Sequence, residues 1–208
     1  MEKSKTPLWK RILDFGIMFV RSGGIALAGS LLYGNNTEEM IRNTVMVLTG
    51  TGVVIFAFSM SEMNGLFIYR NEGKYSRFTM MYLGSLIASV LLPYLPVKGW
   101  PFLVLFVLLG VFSNGVTGVV AGSTCLLVAV NLSGGTFSVF WLYFISGVVG
   151  VLVFSTLNDD FHVGFPLFIS LSILTLCLTA NVILFSQEQL SFGQFMIPLF
   201  NLMVCCIL

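Results

Sequence analysis

The chain has 208 residues, 57% of them hydrophobic and only 9% charged, with a mean hydropathy of +0.97. Soluble domains carry roughly 25% charge, so this composition excludes a water-facing surface of ordinary size. The formal net charge is +1, and all ten Lys and Arg residues lie at or before Lys98. No basic face exists beyond the N-terminal tail and the Arg70 to Arg77 loop, which excludes nucleic acid as a partner. The remaining class is an all-α polytopic integral membrane protein whose solvent is the lipid bilayer.

The first span is expected over Ile12 to Tyr33. Asp14 and Arg21 are seven residues apart and share a helix face. Two readings stand side by side. In one the bilayer begins near Phe19 and the earlier turns lie in the interface as an amphipathic segment; in the other Arg21 faces the bundle interior and pairs with an acid such as Glu62, because an unpaired charge in lipid is expensive. The stretch is not a signal peptide, since its apolar run is interrupted by these charges and continues through GGIALAGSLLY without a processing site. Gly34 to Asn43 then forms a polar connection in which Thr37, Glu38 and Glu39 suit a helix N-terminus.

The second span runs from Thr44 to about Tyr69 and turns polar at Ser59, Ser61, Glu62 and Asn64, just before Arg70, Lys74 and Arg77. The charge bias of membrane proteins places that end on the cytoplasmic side. Glu62 is the foremost ionisable candidate, although an ion pair or a wet interfacial position accounts for it equally well. The third span, Phe78 to Leu95, ends among Pro93, Pro96 and Pro101, which fall where helices leave and enter. A tight hairpin follows, with Tyr94 and Trp100 as aromatic anchors at headgroup depth.

From Gly99 to Asn158 there is no charged side chain. A continuous helix over Trp100 to Leu132 would be about 50 Å long, against a hydrocarbon slab of about 30 Å. Ser113, Asn114 and Gly115 therefore divide it into a fourth span, Trp100 to Phe112, and a fifth, Val116 to Leu132. Gly118 and Gly122 form a GxxxG pattern suited to close helix packing. Short helices around a polar break at Asn114 also resemble the discontinuous helices of transporters. A sixth span, Thr136 to Leu157, opens with aromatic residues and narrows to Gly147 and Gly150, a second packing pair.

Asn158 to His162, NDDFH, reads as a helix cap rather than a metal or acid-base cluster, because all its polar residues sit in one loop. In the seventh span, Val163 to Phe185, Thr175 and Thr179 share a face and bond either across to another helix or back to their own carbonyls. The final run, Phe195 to Leu208, ends without a polar boundary, as expected of the membrane part of something longer. Cys125, Cys177, Cys205 and Cys206 lie in apolar runs with no CxxC or histidine partner. No metal, cofactor or catalytic residue is expected.

The count is thus about eight transmembrane helices: residues 1–43 supply the tail, first span and loop, and residues 44–208 a seven-span membrane domain. Both chain ends are placed inside. This pattern, with LLPYLP before the fourth span, GVTGVVAG opening the fifth and SGG ahead of the sixth, resembles the membrane domain of bacterial seven-transmembrane HD-family proteins. In that family the membrane region precedes a cytoplasmic phosphohydrolase domain that hydrolyses cyclic di-adenosine monophosphate. The resemblance implies a bacterial cytoplasmic membrane, and a sensory or anchoring module that passes a signal to a cytoplasmic output domain outside this chain. Its metal ligands belong to that output domain, so no functional residue carries over. The alternatives are a small-solute permease or the substrate-binding subunit of an importer, with Glu62, Ser113 to Gly115 (Asn114 among them), Thr175 and Thr179 lining a site, and an enzyme acting on lipids, for which Asp159, Asp160 and His162 are the only candidates. Partners in each case are the bilayer, a second copy of the chain or a small ligand.

Overall fold

The computed structural model describes residues 8–65, 74–97 and 100–155. Six α-helices account for nearly all of them: α1 Leu8–Leu32, α2 Thr37–Met63, α3 Lys74–Leu91, α4 Phe102–Phe112, α5 Gly115–Leu132 and α6 Phe137–Ser155. A single 3-10 turn, Leu92–Tyr94, follows α3 with Pro93 inside it. An all-helical outcome follows from the solvent, because a helix satisfies its own backbone donors and acceptors in lipid.

Local chemistry sets the boundaries. Gly34 closes the α1–α2 turn at φ 64°, a left-handed conformation that costs glycine nothing. The polar connection shrinks to four residues, since α2 begins at Thr37 rather than Thr44, with the Asn36 N–H donating to Glu39 Oε2 (3.3 Å). The break expected at Ser113 to Gly115 is present. Ser113 Oγ turns back on the Leu109 carbonyl (2.6 Å), and Asn114 Oδ1 accepts the Thr117 N–H (2.7 Å) to cap α5.

Pairs of contacts fix the direction of each helix. Ser30 meets Asn43 and Gly23 meets Leu48, so α1 and α2 are antiparallel. Phe58 stacks on Phe78 and Thr51 bonds Tyr82, which makes α2 and α3 antiparallel. Gly118 lies on Gly110 and Gly122 on Phe106, so α5 runs against α4. Phe102 meets Tyr143 and Phe106 meets Gly147, so α4 and α6 run together. Odd-numbered helices run one way and even-numbered helices the other. The start of α1 and the end of α6 therefore share one end of the bundle.

At the centre is α5: 56% of its most apolar window is buried, against 28–39% for α1, α2 and the segment Tyr75–Tyr94. It touches every other helix.

The expectation of about eight transmembrane helices is corrected here. Among the described residues there are six helices, and only four segments are long and apolar enough to cross a membrane: Ile12–Leu32, Thr37–Met63, Tyr75–Tyr94 and Gly115–Leu132. The fourth expected span falls short for a physical reason. Bounded by Pro101 at one end and the Ser113 break at the other, α4 has only 11 residues, about 16 Å. Trp100, expected as a headgroup anchor, is 0% exposed; it packs against Phe102 and Tyr143, with its indole N–H donating to the Leu95 carbonyl (3.2 Å). Tyr94 does lie outward, 65% exposed. The apolar part of α6, Phe137–Leu152, is likewise below spanning length. The expected seventh and eighth spans, with Thr175 and Thr179, lie outside the described residues.

Candidate functional site

The buried face of α2 reads Asn43, Val47, Thr51, Val54, Phe58 and Ser61. These positions recur every three or four residues, the spacing of one helix stripe. The stripe faces α5 and, on its flank, α3, and its polar members make a ladder of side-chain bonds. At one end Asn43 Nδ2 donates to Ser30 Oγ of α1 (3.1 Å), while Asn131 Nδ2 of α5 donates to Asn43 Oδ1. Midway, Thr51 Oγ1 and Tyr82 Oη are 2.9 Å apart. Beside them Gly50 lies so close to Thr124 that an added Cβ would overlap the threonine methyl. At the other end Ser61 Oγ and Thr117 Oγ1 are 3.2 Å apart.

Lipid tails give apolar helices no hydrophobic reason to associate, so close packing and polar bonds must do so. The ladder supplies the bonds and fixes the register of α2 on α5. Apart from the Gly50–Thr124 contact, the close glycine packing lies on the opposite side of α5. The Phe106 ring is held between Gly122 and Gly147, where an added Cβ would come within 2.7 Å and 2.5 Å of it. Gly118 backs directly onto the Gly110 backbone, and Gly150 is buried on α6.

Among the described residues, the buried side-chain atoms Asn114 Nδ2 and Ser146 Oγ have no bond. Asn114 is thus a cap with an idle donor. At the other end of the bundle Tyr33 Oη donates to the Val90 carbonyl (2.9 Å). Burial first, and the Tyr94 phenol second, raise the Tyr33 pKa above its ordinary value.

The residues singled out from sequence are dispersed. Arg21 is exposed on α1, and Glu62 and Asn64 are exposed at the end of α2. Because Gly23 is level with Leu48, Glu62 lies far along the bundle from Arg21, and the two are not brought together. Cys125 is buried and free. Among the described residues no group of three His, Cys, Asp or Glu side chains is placed to hold a metal. The bonded groups of the ladder are hydroxyls and amides, which hold a register and transfer no proton at neutral pH. Ser30, Asn43, Thr51, Tyr82, Thr117, Thr124 and Asn131 escaped the sequence reading; the three- and four-residue recurrence of small and polar side chains along α2 was the available signal.

The fold and the ladder define a class, a multi-span, all-helical membrane protein. No family model, curated protein or solved structure matches the chain.

Proposed function

We propose that the chain is a sensory or anchoring module that passes a change of helix packing to the end of the bundle where α1 begins and α6 ends. The output lies there in the manner implied by the resemblance to the membrane region of bacterial HD-family phosphodiesterases. Lys3, Lys5, Lys10, Arg11, Arg70, Lys74 and Arg77 adjoin that end in sequence and only Arg42 and Lys98 the other, which supports a cytoplasmic placement. The observation that carries the reading is the ladder: its polar groups are spent on one another between α2 and its neighbours α1, α3 and α5 and do not line a path for solute. Bonds of this kind are each worth about 0.6 kcal/mol in a membrane, so they fix a register that a modest bias can shift.

The test is a distance measurement between nitroxides at Asn64→Cys and Val116→Cys, with the native cysteines replaced and the chain in liposomes. A relay has two packings, so Ser61→Ala with Thr117→Val is expected to move a substantial fraction of molecules into a second distance population. One unchanged population in every variant contradicts the relay.

A further inference from the structure

The break between α4 and α5 gathers donors that the bundle does not use. The first backbone N–H groups of an α-helix have no acceptor within the helix. Asn114 Oδ1 takes that of Thr117, and among the described residues the Gly115 and Val116 N–H groups have no acceptor. Asn114 is only 5% exposed, yet its Nδ2 is unbonded. Only the oxygen of the amide can accept the Thr117 N–H, so the nitrogen is the end left over, and the planar amide holds it beside Oδ1 at the mouth of the first turn. A buried donor left unpaired is costly, and this one calls for an acceptor brought from elsewhere.

Depth and charge select that acceptor. The 18 residues of α5 span about 27 Å against a hydrocarbon slab of about 30 Å, which puts the α5 N-terminus at headgroup depth. The Ser61–Thr117 bond sets this turn level with the end of α2, where Glu62 and Asn64 are exposed. Val116 is exposed and Gly115 half-buried, and a residue without a side chain lets a ligand reach the backbone. On the α4 side Ser113 covers two terminal carbonyls, its N–H donating to Gly110 and its Oγ to Leu109. Arg77, exposed in the first turn of α3 at the same end, adds positive charge. The Glu62 carboxylate is exposed and lies about 100° round α2 from Ser61, the residue that meets α5. Converging N–H donors at the positive end of a helix dipole suit an anionic oxygen.

We propose that the α5 N-terminus is a binding site for a phosphate group, held by Asn114 Nδ2 and the N–H groups of Gly115 and Val116. Phosphate is the anion that headgroup depth supplies, as the diester of a phospholipid, and free inorganic phosphate presents the same oxygens. The site does not rest on the relay, because it needs only one packing of the bundle.

The test titrates the full chain in maltoside micelles with dihexanoyl phosphatidylglycerol, inorganic phosphate or acetate, and takes apparent affinity from the rise in the unfolding midpoint. The phospholipid is expected to raise the midpoint of the wild-type chain. Asn114→Ser and Asn114→Asp both keep an oxygen to cap α5 and lose the idle donor. Each is expected to weaken the phospholipid roughly tenfold or more, the aspartate further because its charge opposes the phosphate. The midpoint of each variant without ligand reports folding separately from binding. An Asn114-dependent effect confined to the phospholipid supports the site with lipid as the source, and one shared by inorganic phosphate supports it with the free anion as the source. Affinity unchanged in both variants, no effect of either phosphate compound, or acetate bound as tightly as they are overturns the proposal. So does a phospholipid effect that appears only in the Asp159→Asn, Asp160→Asn double variant, since a carboxylate of the chain itself then fills the site.

Discussion

Asn43 uses both ends of its amide: the nitrogen donates to Ser30 and the oxygen accepts from Asn131, so one side chain ties α1, α2 and α5 together. Removing it leaves the buried Ser30 hydroxyl and the half-buried Asn131 amide without their partner. Asn43→Ala is therefore expected to cost about 1–2 kcal/mol, read from the denaturant midpoint in micelles or bicelles, and Asn43→Asp more, since it loses the donor and adds a charge. Asn114 invites a finer comparison, because its oxygen caps α5 while its nitrogen is idle. Asn114→Ala is expected to lose about 1 kcal/mol with the cap, whereas Asn114→Ser keeps a capping oxygen, drops the unpaired donor and is expected to be neutral or stabilising. A serine variant as damaged as the alanine one would show that the nitrogen has a partner. Glu62, exposed at the end of α2, belongs to a different category: Glu62→Gln is expected to shift the midpoint by no more than about 0.5 kcal/mol.

Between helices, the contacts of α5 divide by face. One face meets α2 through bonded polar groups, and the other meets α4 and α6 through glycine slots around Phe106 and Gly110. A side chain in a slot has nowhere to go, because the opposing atom at Gly118 is backbone and cannot rotate aside. Gly118→Val and Gly147→Leu are each expected to cost about 1–3 kcal/mol by overpacking, with Gly118 the more severe. Gly24, whose Cβ position is open, serves as the control, and its Ala variant is expected to behave as wild type apart from a slight gain in helix propensity. The break between α4 and α5 was legible in the sequence because Ser113 and Asn114 interrupt two apolar runs with groups that prefer capping to helix interiors. The fate of Trp100 was not legible. An aromatic residue beside prolines reads as an interface anchor, and only its packing against Phe102 and Tyr143 in the folded bundle buries it.

At the level of the whole molecule, hydrophobicity announced the solvent but overstated the number of crossings. Apolar length distinguishes a spanning helix from a shorter one only when the connection between them lies outside the membrane. Here α4 is only 11 residues long, and of its connection to α3 Leu92 and Trp100 are buried while Tyr94, Leu95 and Pro96 are exposed. The ladder was hidden for the opposite reason: Asn43, Thr51 and Ser61 are unremarkable singly in an apolar sequence, and their shared stripe acquires meaning only once α5 presents Thr117 and Asn131 at matching heights.

The central claim is that α5 crosses the bundle at its centre, antiparallel to α2 and α4, with the break at Ser113 and Asn114 at the same end as Asn64. Single cysteines at Leu95 and Thr136, and at Asn64 and Ser76, in a background without the native cysteines, can be probed in sealed vesicles with a membrane-impermeant maleimide. The account predicts that Leu95→Cys and Thr136→Cys are labelled from one side, and Asn64→Cys and Ser76→Cys from the other. Labelling of Thr136→Cys and Asn64→Cys from the same side would contradict it.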